Sequence, residues 1–239
     1  MFIGNQQIQN YFENLIKQGK LSHAYLFYGP EGVGKKLLAL NISEAVAGPG
    51  ERSAFQFASL SGAINNLDLR VIDKGGEEIH IADIRELKNF IHLTPFGKYK
   101  IAIINNAHNL GRDASNALLK ILEEPSGKSI LFLVSHLPKM LLSTVISRCQ
   151  PVRFKPLEEK EVFNYLAGVM PGGTGPGEIK KEVAETCSKL SNGSLGLAVV
   201  LADNFGIFQK NISLLNRLMK ANLKERFETA KRISVSSED

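Results

Sequence analysis

The chain has 239 residues, 44% of them hydrophobic and 22% charged, enough to bury a substantial core as one large domain or two smaller ones. Its net charge of +5 leaves contact with an acidic partner such as nucleic acid open without requiring it. Cys149 and Cys187 are the two cysteines, too far apart for a CxxC pair or for a four-ligand zinc site by themselves, and no apolar run approaches the ~20 residues that cross a bilayer. Residues 1–10 also lack a signal-peptide pattern, so a reducing, cytoplasmic setting is expected, and the Asn-x-Ser triplets at Asn41, Asn192 and Asn211 are read as chance matches.

Ile8, Tyr11, Phe12, Leu15 and Ile16 recur at helical spacing and predict an opening amphipathic helix that Gly19 ends. Residues 24–28 read as a short buried strand, followed directly by Gly29-Pro30-Glu31-Gly32-Val33-Gly34-Lys35-Lys36 and a helical run over 37–46. Residues 48–66 are rich in Gly, Ser and Ala and predict a loop. A strand is expected at 67–72, a helix at 81–93, a turn at Pro95-Phe96-Gly97, and an apolar strand at 99–104. A helix over 113–124 stops before Pro125, and strands follow at 129–134 and 152–154. Apolar strands that alternate with helices imply a parallel sheet covered on both faces, a three-layer α/β arrangement.

After about Lys155 the character changes, and 162–169, 179–190, 194–202 and 205–218 all read as helices. The expected division is an α/β domain over 1–155, a small helical domain over 156–204, and the start of a further helical domain over 205–239. The Pro171 to Gly177 stretch has no following Lys and no preceding strand, so it reads as a flexible connection rather than a second phosphate loop.

The segment from Gly29 to Lys35 satisfies G-x-x-x-x-G-K, in which glycines let backbone N–H groups turn around phosphate oxygens and the lysine neutralises their charge. Gly29, Gly32, Gly34 and Lys35 are therefore the candidate phosphate-binding residues. A complete loop places Ser or Thr next, to ligate Mg²⁺, whereas Lys36 stands here. The acidic pair expected at the end of an apolar strand is likewise replaced, by Asn105 and Asn106, which carry no charge and cannot act as a base. Loss of the base alone costs ~10²–10⁴-fold. Glu123 and Glu124 are the nearest acidic pair in sequence, but their place at a helix end before Pro125 favours a structural or interface role. The three departures predict a nucleotide-binding fold that has stopped hydrolysing.

Three runs carry a family resemblance: Ser115-Asn116-Ala117-Leu118-Leu119-Lys120-Ile121-Leu122-Glu123-Glu124-Pro125, then Leu131 to Ser135, then Ser147-Arg148-Cys149. With His23-Ala24-Tyr25-Leu26-Phe27-Tyr28-Gly29, they resemble the AAA+ clamp-loader subunits of bacterial DNA polymerase III, the gamma/tau and delta prime group, over about 5–202. The resemblance implies an AAA+ P-loop domain with a parallel sheet followed by a small helical lid. It also implies membership of a five-subunit ring, with gamma/tau and delta subunits, that loads the beta sliding clamp on primer-template DNA during replication. Arg148 matches the arginine that reaches a neighbour's ATP, a role worth ~10³–10⁵ in rate where it operates. Ser135 matches a sensor position, although a strand-end hydrogen-bonding role suits it equally.

The family's second sensor arginine falls near Gly193-Ser194, where Leu195, Gly196 and Leu197 stand instead, a pattern closer to delta prime than to gamma/tau. Residues 48–66 hold no cysteine of the zinc module that many relatives carry, so no zinc is expected, and ATP binding is expected to be vestigial. The family's helical collar is expected to begin where this sequence ends. The readings weighed are a non-hydrolysing ring scaffold and arginine donor, an active gamma/tau-type ATPase, and a degenerate AAA+ interaction protein outside replication. Lys180, Lys181 and the basic residues of 210–232 read as solvated helix faces rather than a principal DNA-binding element.

Overall fold

The computed structural model describes residues 3–47, 67–168 and 179–220. Five strands, β1 (Ala24–Tyr28), β2 (Leu69–Ile72), β3 (Lys100–Ile104), β4 (Ser129–Ser135) and β5 (Gln150–Arg153), form one parallel sheet in the order β2-β3-β4-β1-β5. Alternate residues of the central strands serve opposite faces, because side chains in a strand point up and down in turn. Tyr25, Phe27, Ile101, Ile103, Phe132 and Val134 face one core, and Ala24, Leu26, Ala102, Ile104, Leu131 and Leu133 face the other.

The first face is covered by α1 (Gln6–Gln18) and α2 (Lys35–Ala47). Phe12 of α1 sits in an aromatic group, with ring centroids 5.0 Å from Tyr25 and 5.5 Å from Phe27. Gly19 takes the left-handed conformation that ends this helix, with φ 66°. On the second face lie α3 (Ile81–Ile91), α4 (Arg112–Glu123) and the short α5 (Ser143–Ile146). Their apolar stripes bury Ile84, Leu87 and Ile91 from α3 and Leu118, Ile121 and Leu122 from α4.

The remaining described elements are helical: α6 (Glu159–Leu166), α7 (Lys181–Leu190), α8 (Leu195–Asp203) and α9 (Phe205–Lys220). Val162, Leu166, Ala184, Cys187 and Ala198 from the first three belong to the same buried cluster as Phe27, Val33 and Phe154. The small helical layer therefore shares one continuous core with the first face of the sheet. The short α5 is not expected from the sequence, and other differences lie at element ends: the second strand starts at Leu69, because Asp68 turns inward to accept hydrogen bonds from the Phe96 and Gly97 amides. β5 ends at Arg153, one residue short of the expected Phe154. The expected loop at 48–66, with its zinc question, the connection at 171–177 and the collar start beyond residue 220 lie outside the described residues.

Candidate functional site: a self-satisfied phosphate loop

The strand register sets up the site. Tyr28 lies level with Ser135 of β4 and Arg153 of β5, and Ile104 lies level with Ile72 and Leu133. The residues that leave the carboxyl ends of these strands, Gly29, Asp73, Asn105 and His136, are thereby gathered along one edge, where ligands of parallel sheets bind. Gly29, Gly32 and Gly34 have φ of 143°, 73° and 90°, conformations that exclude ordinary side chains. The backbone of the loop therefore calls for glycine at these three positions.

Its lysine and several of its carbonyls, however, are already engaged with the protein. The Lys35 ammonium, only 6% exposed, donates to the carbonyl of Gly29 at 2.8 Å and to that of Pro30. Burial lowers its pKa to about 8, against which the negative charge of Glu31 works. The carbonyl of Gly32 accepts from the amide of Gly196 at 2.9 Å, so the first turn of α8 sits against the loop. Ser194 caps that helix, its hydroxyl accepting from the Leu197 amide. A Cβ on Gly196 would stand 3.1 Å from the Gly32 Cα, tighter than ordinary packing. At the place where the resemblance expects a phosphate-sensing arginine, this chain thus has a glycine in backbone contact with the loop.

The metal position is occupied by protein charge. Lys36 donates to Oδ2 of Asp73 at 2.6 Å, and Asn105 donates to the same oxygen at 3.1 Å. The Gly75 amide donates to the other carboxylate oxygen at 3.2 Å. Burial acts to raise the Asp73 pKa, but these bonds, led by the one from Lys36, bring it below the ordinary carboxylate range. Asn106, with φ 50°, turns its amide to the carbonyl of Gly75. A Mg²⁺ bridging nucleotide phosphates needs oxygen ligands and a neighbouring carboxylate; an ammonium here, two amides beyond it and an aspartate already satisfied do not fit it.

Ser135 is 1% exposed, its hydroxyl 3.2 Å from Nδ1 of His108 and accepting from the Leu137 amide at 3.1 Å. His108 in turn meets the ring of His136 edge-on at 4.2 Å, and burial, followed by the charge of His136, lowers its pKa. Ser135 is held by β4 and its own turn.

Arg148 lies away from this group of contacts, in the turn between α5 and β5. Its guanidinium donates to the carbonyl of Thr144 at 2.9 Å and pairs with Glu123 at 2.8 Å, with 36% of its side chain exposed. The structure thus brings Lys35, the loop glycines and the α8 turn together and joins Lys36 to Asn105, while Glu123 goes to Arg148. Sequence reasoning missed Asp73, His108 and His136 as participants. One signal was available: a lysine in a metal position needs a counter-charge, and Asp73 directly follows an apolar strand.

A family model described as DNA polymerase III, delta subunit matches residues 4–158. The chain belongs to this family. It is 36% identical to DNA polymerase III subunit delta' of Bacillus subtilis over 160 residues, which are 64% of this chain and 48% of that protein. It is 37% identical to the delta' subunit of Pseudomonas aeruginosa over 136 residues, 54% of this chain and 42% of that protein. The tau subunit of B. subtilis is 30% identical over 220 residues, 90% of this chain and 36% of that protein. The chain thus spans less than half the length of each of these three relatives.

Among solved structures, a DNA polymerase III gamma subunit-related protein from Thermotoga maritima superposes with a TM-score of 0.55 at 23% identity, covering 93% of this chain and 77% of its own. The RuvB Holliday junction branch migration motor of the same organism gives 0.59 at 19% identity, covering 89% and 65%. Both likenesses concern the fold, which is the AAA+ arrangement of a parallel sheet with a helical lid.

Proposed function

We propose that this chain is a delta prime-like, non-hydrolysing subunit of the DNA polymerase III clamp loader. In this reading it acts in replication as a ring scaffold beside gamma/tau and delta subunits, engaging the beta sliding clamp and primer-template DNA, in the cytoplasm. One observation carries the proposal: the three replaced residues of the ATP site are satisfied by the protein itself, Lys36 and Asn105 by Asp73 and Asn106 by Gly75. A site whose replaced residues and loop lysine already have partners gains little from MgATP, and Asn105 and Asn106 cannot act as the base that activates water. Neither ATP nor zinc is required in this role.

Arg148 is then the residue through which the chain serves catalysis, reaching phosphate bound by a neighbouring subunit. Its exposed guanidinium on a turn braced by the buried Val145 and Cys149 suits that reach. The test is steady-state ATPase of the reconstituted loader with clamp and primed DNA. Arg148→Ala is expected to cut turnover at the site it serves by ~10³–10⁵-fold, and Lys35→Ala, which removes the chain's own loop lysine, to leave turnover unchanged. Loss with Lys35→Ala and not with Arg148→Ala would return the chain to the active ATPases.

A further inference from the structure

We infer that Glu123 is a positioning residue for Arg148, a role that rests on the reading of Arg148 given above. Glu123 is the last residue of α4, whose stripe of Leu118, Ile121 and Leu122 is buried against the sheet. Its Oε1 lies 2.8 Å from Nη2 of Arg148, while Nη1 donates to the carbonyl of Thr144 at 2.9 Å. The guanidinium is therefore gripped from two elements, the end of α4 and the short α5.

An exposed ion pair of this kind, with side chains 36% and 49% accessible, adds little to folding. Its effect is felt in where the arginine points. An unrestrained arginine has several rotatable bonds to immobilise when it engages a phosphate, and a restraint made beforehand reduces what is lost at that moment. The two contacts use two of the five N–H donors of the guanidinium, so three remain for phosphoryl oxygens. A carboxylate that saturated the fork would compete with phosphate; one that takes a single N–H orients it. Glu123 touches no reacting atom in this role and acts only through Arg148.

The experiment is a double-mutant cycle in the reconstituted loader, with clamp, primed DNA and varied ATP. Glu123→Ala is expected to lower kcat about two- to fivefold, the bias an exposed ion pair can exert, with KM for ATP unchanged. Glu123→Gln, which keeps an acceptor oxygen, is expected to recover most of that loss. In an Arg148→Ala background the Glu123→Ala change is expected to add nothing, and its thermal midpoint as an isolated chain to match the parent. An equal loss in both backgrounds overturns the proposal in favour of a structural effect, and a rise in kcat overturns it in favour of competition. A loader that keeps full turnover with Arg148→Ala alone refutes the arginine reading itself, and the positioning role falls with it.

Discussion

Lys36 and Asn105 bind the same oxygen: both donate to Oδ2 of Asp73, at 2.6 and 3.1 Å, across the gap between the phosphate loop and two adjacent strands. This is where a nucleotide-hydrolysing relative of the fold needs a metal ion with its hydroxyl and carboxylate ligands. The ammonium supplies the positive charge in a covalent form that cannot leave, and Asp73 balances it.

Removing that cation has a pH-dependent cost. The Asp73 pKa is held below its unfolded value, so the pair stabilises the fold at pH values above the ordinary carboxylate range and ceases to do so as pH falls through the depressed folded value. Lys36→Met is expected to lower stability by about 0.5–1 kcal/mol at pH 7, the range of a partly exposed pair. Denaturant midpoints for the parent and variant should converge in acid. A gap that persists unchanged at pH 2 would assign the loss to packing of the lysine stem.

Lys35 gives a dependence of the same sign at the alkaline end. Its folded pKa of about 8 lies below the ordinary 10.5, so between these values the unfolded chain holds a proton that the folded chain has released. Stability contributed by this group therefore rises with pH in that window, by up to about 1.4 kcal/mol per pH unit. The difference in thermal midpoint between the parent and Lys35→Met should shift toward the parent from pH 8 to pH 10. A difference independent of pH would show that the ammonium titrates normally.

At the other end of the sheet, Lys100 and Asp68 form an ion pair at 2.6 Å with side chains 2% and 4% exposed. Lys100 also donates to the carbonyl of Leu67 and lies 4.9 Å from the ring centroid of Phe90. Lys100→Ala removes the ammonium that balances the buried Asp68 carboxylate, and the expected cost is about 3–5 kcal/mol. Equilibrium unfolding in urea checks this, and a loss under 1 kcal/mol would mean that water or a rearranged turn solvates the carboxylate.

The layers of the fold were legible because the central strands β1, β3 and β4 carry continuous apolar runs and helices such as α1, α3 and α4 a 3.6-residue stripe, and the loop glycines were legible from their spacing before Lys35. The replacements at Lys36, Asn105 and Asn106 could be seen as departures, yet their partner could not. Asp73 is 37 residues from Lys36 and 32 from Asn105; the β2–β3 register sets Asp73 beside Asn105, and the packing of α2 on the sheet brings Lys36 to it. The same holds for Lys100, which reads in sequence as the edge of an apolar strand and whose burial depends on Asp68 across that pair of strands. Glu123 was legible as a residue at a helix end and Arg148 through the resemblance of Ser147-Arg148-Cys149; that one holds the other is a fact of tertiary packing.

The contact of Gly32 with Gly196 bears on how this chain could have changed over time. A relative that senses phosphate from the lid needs a side chain at that helix turn, and a chain whose lid rests backbone to backbone on the loop has no space for one. A side chain at 196 requires α8 and Gly32 to give way by a few tenths of an ångström, which strains the amide–carbonyl bond between them. The backbone contact thereby couples the α8 turn to the glycine loop, so that a change of side chain at one has to be matched by a shift of the other.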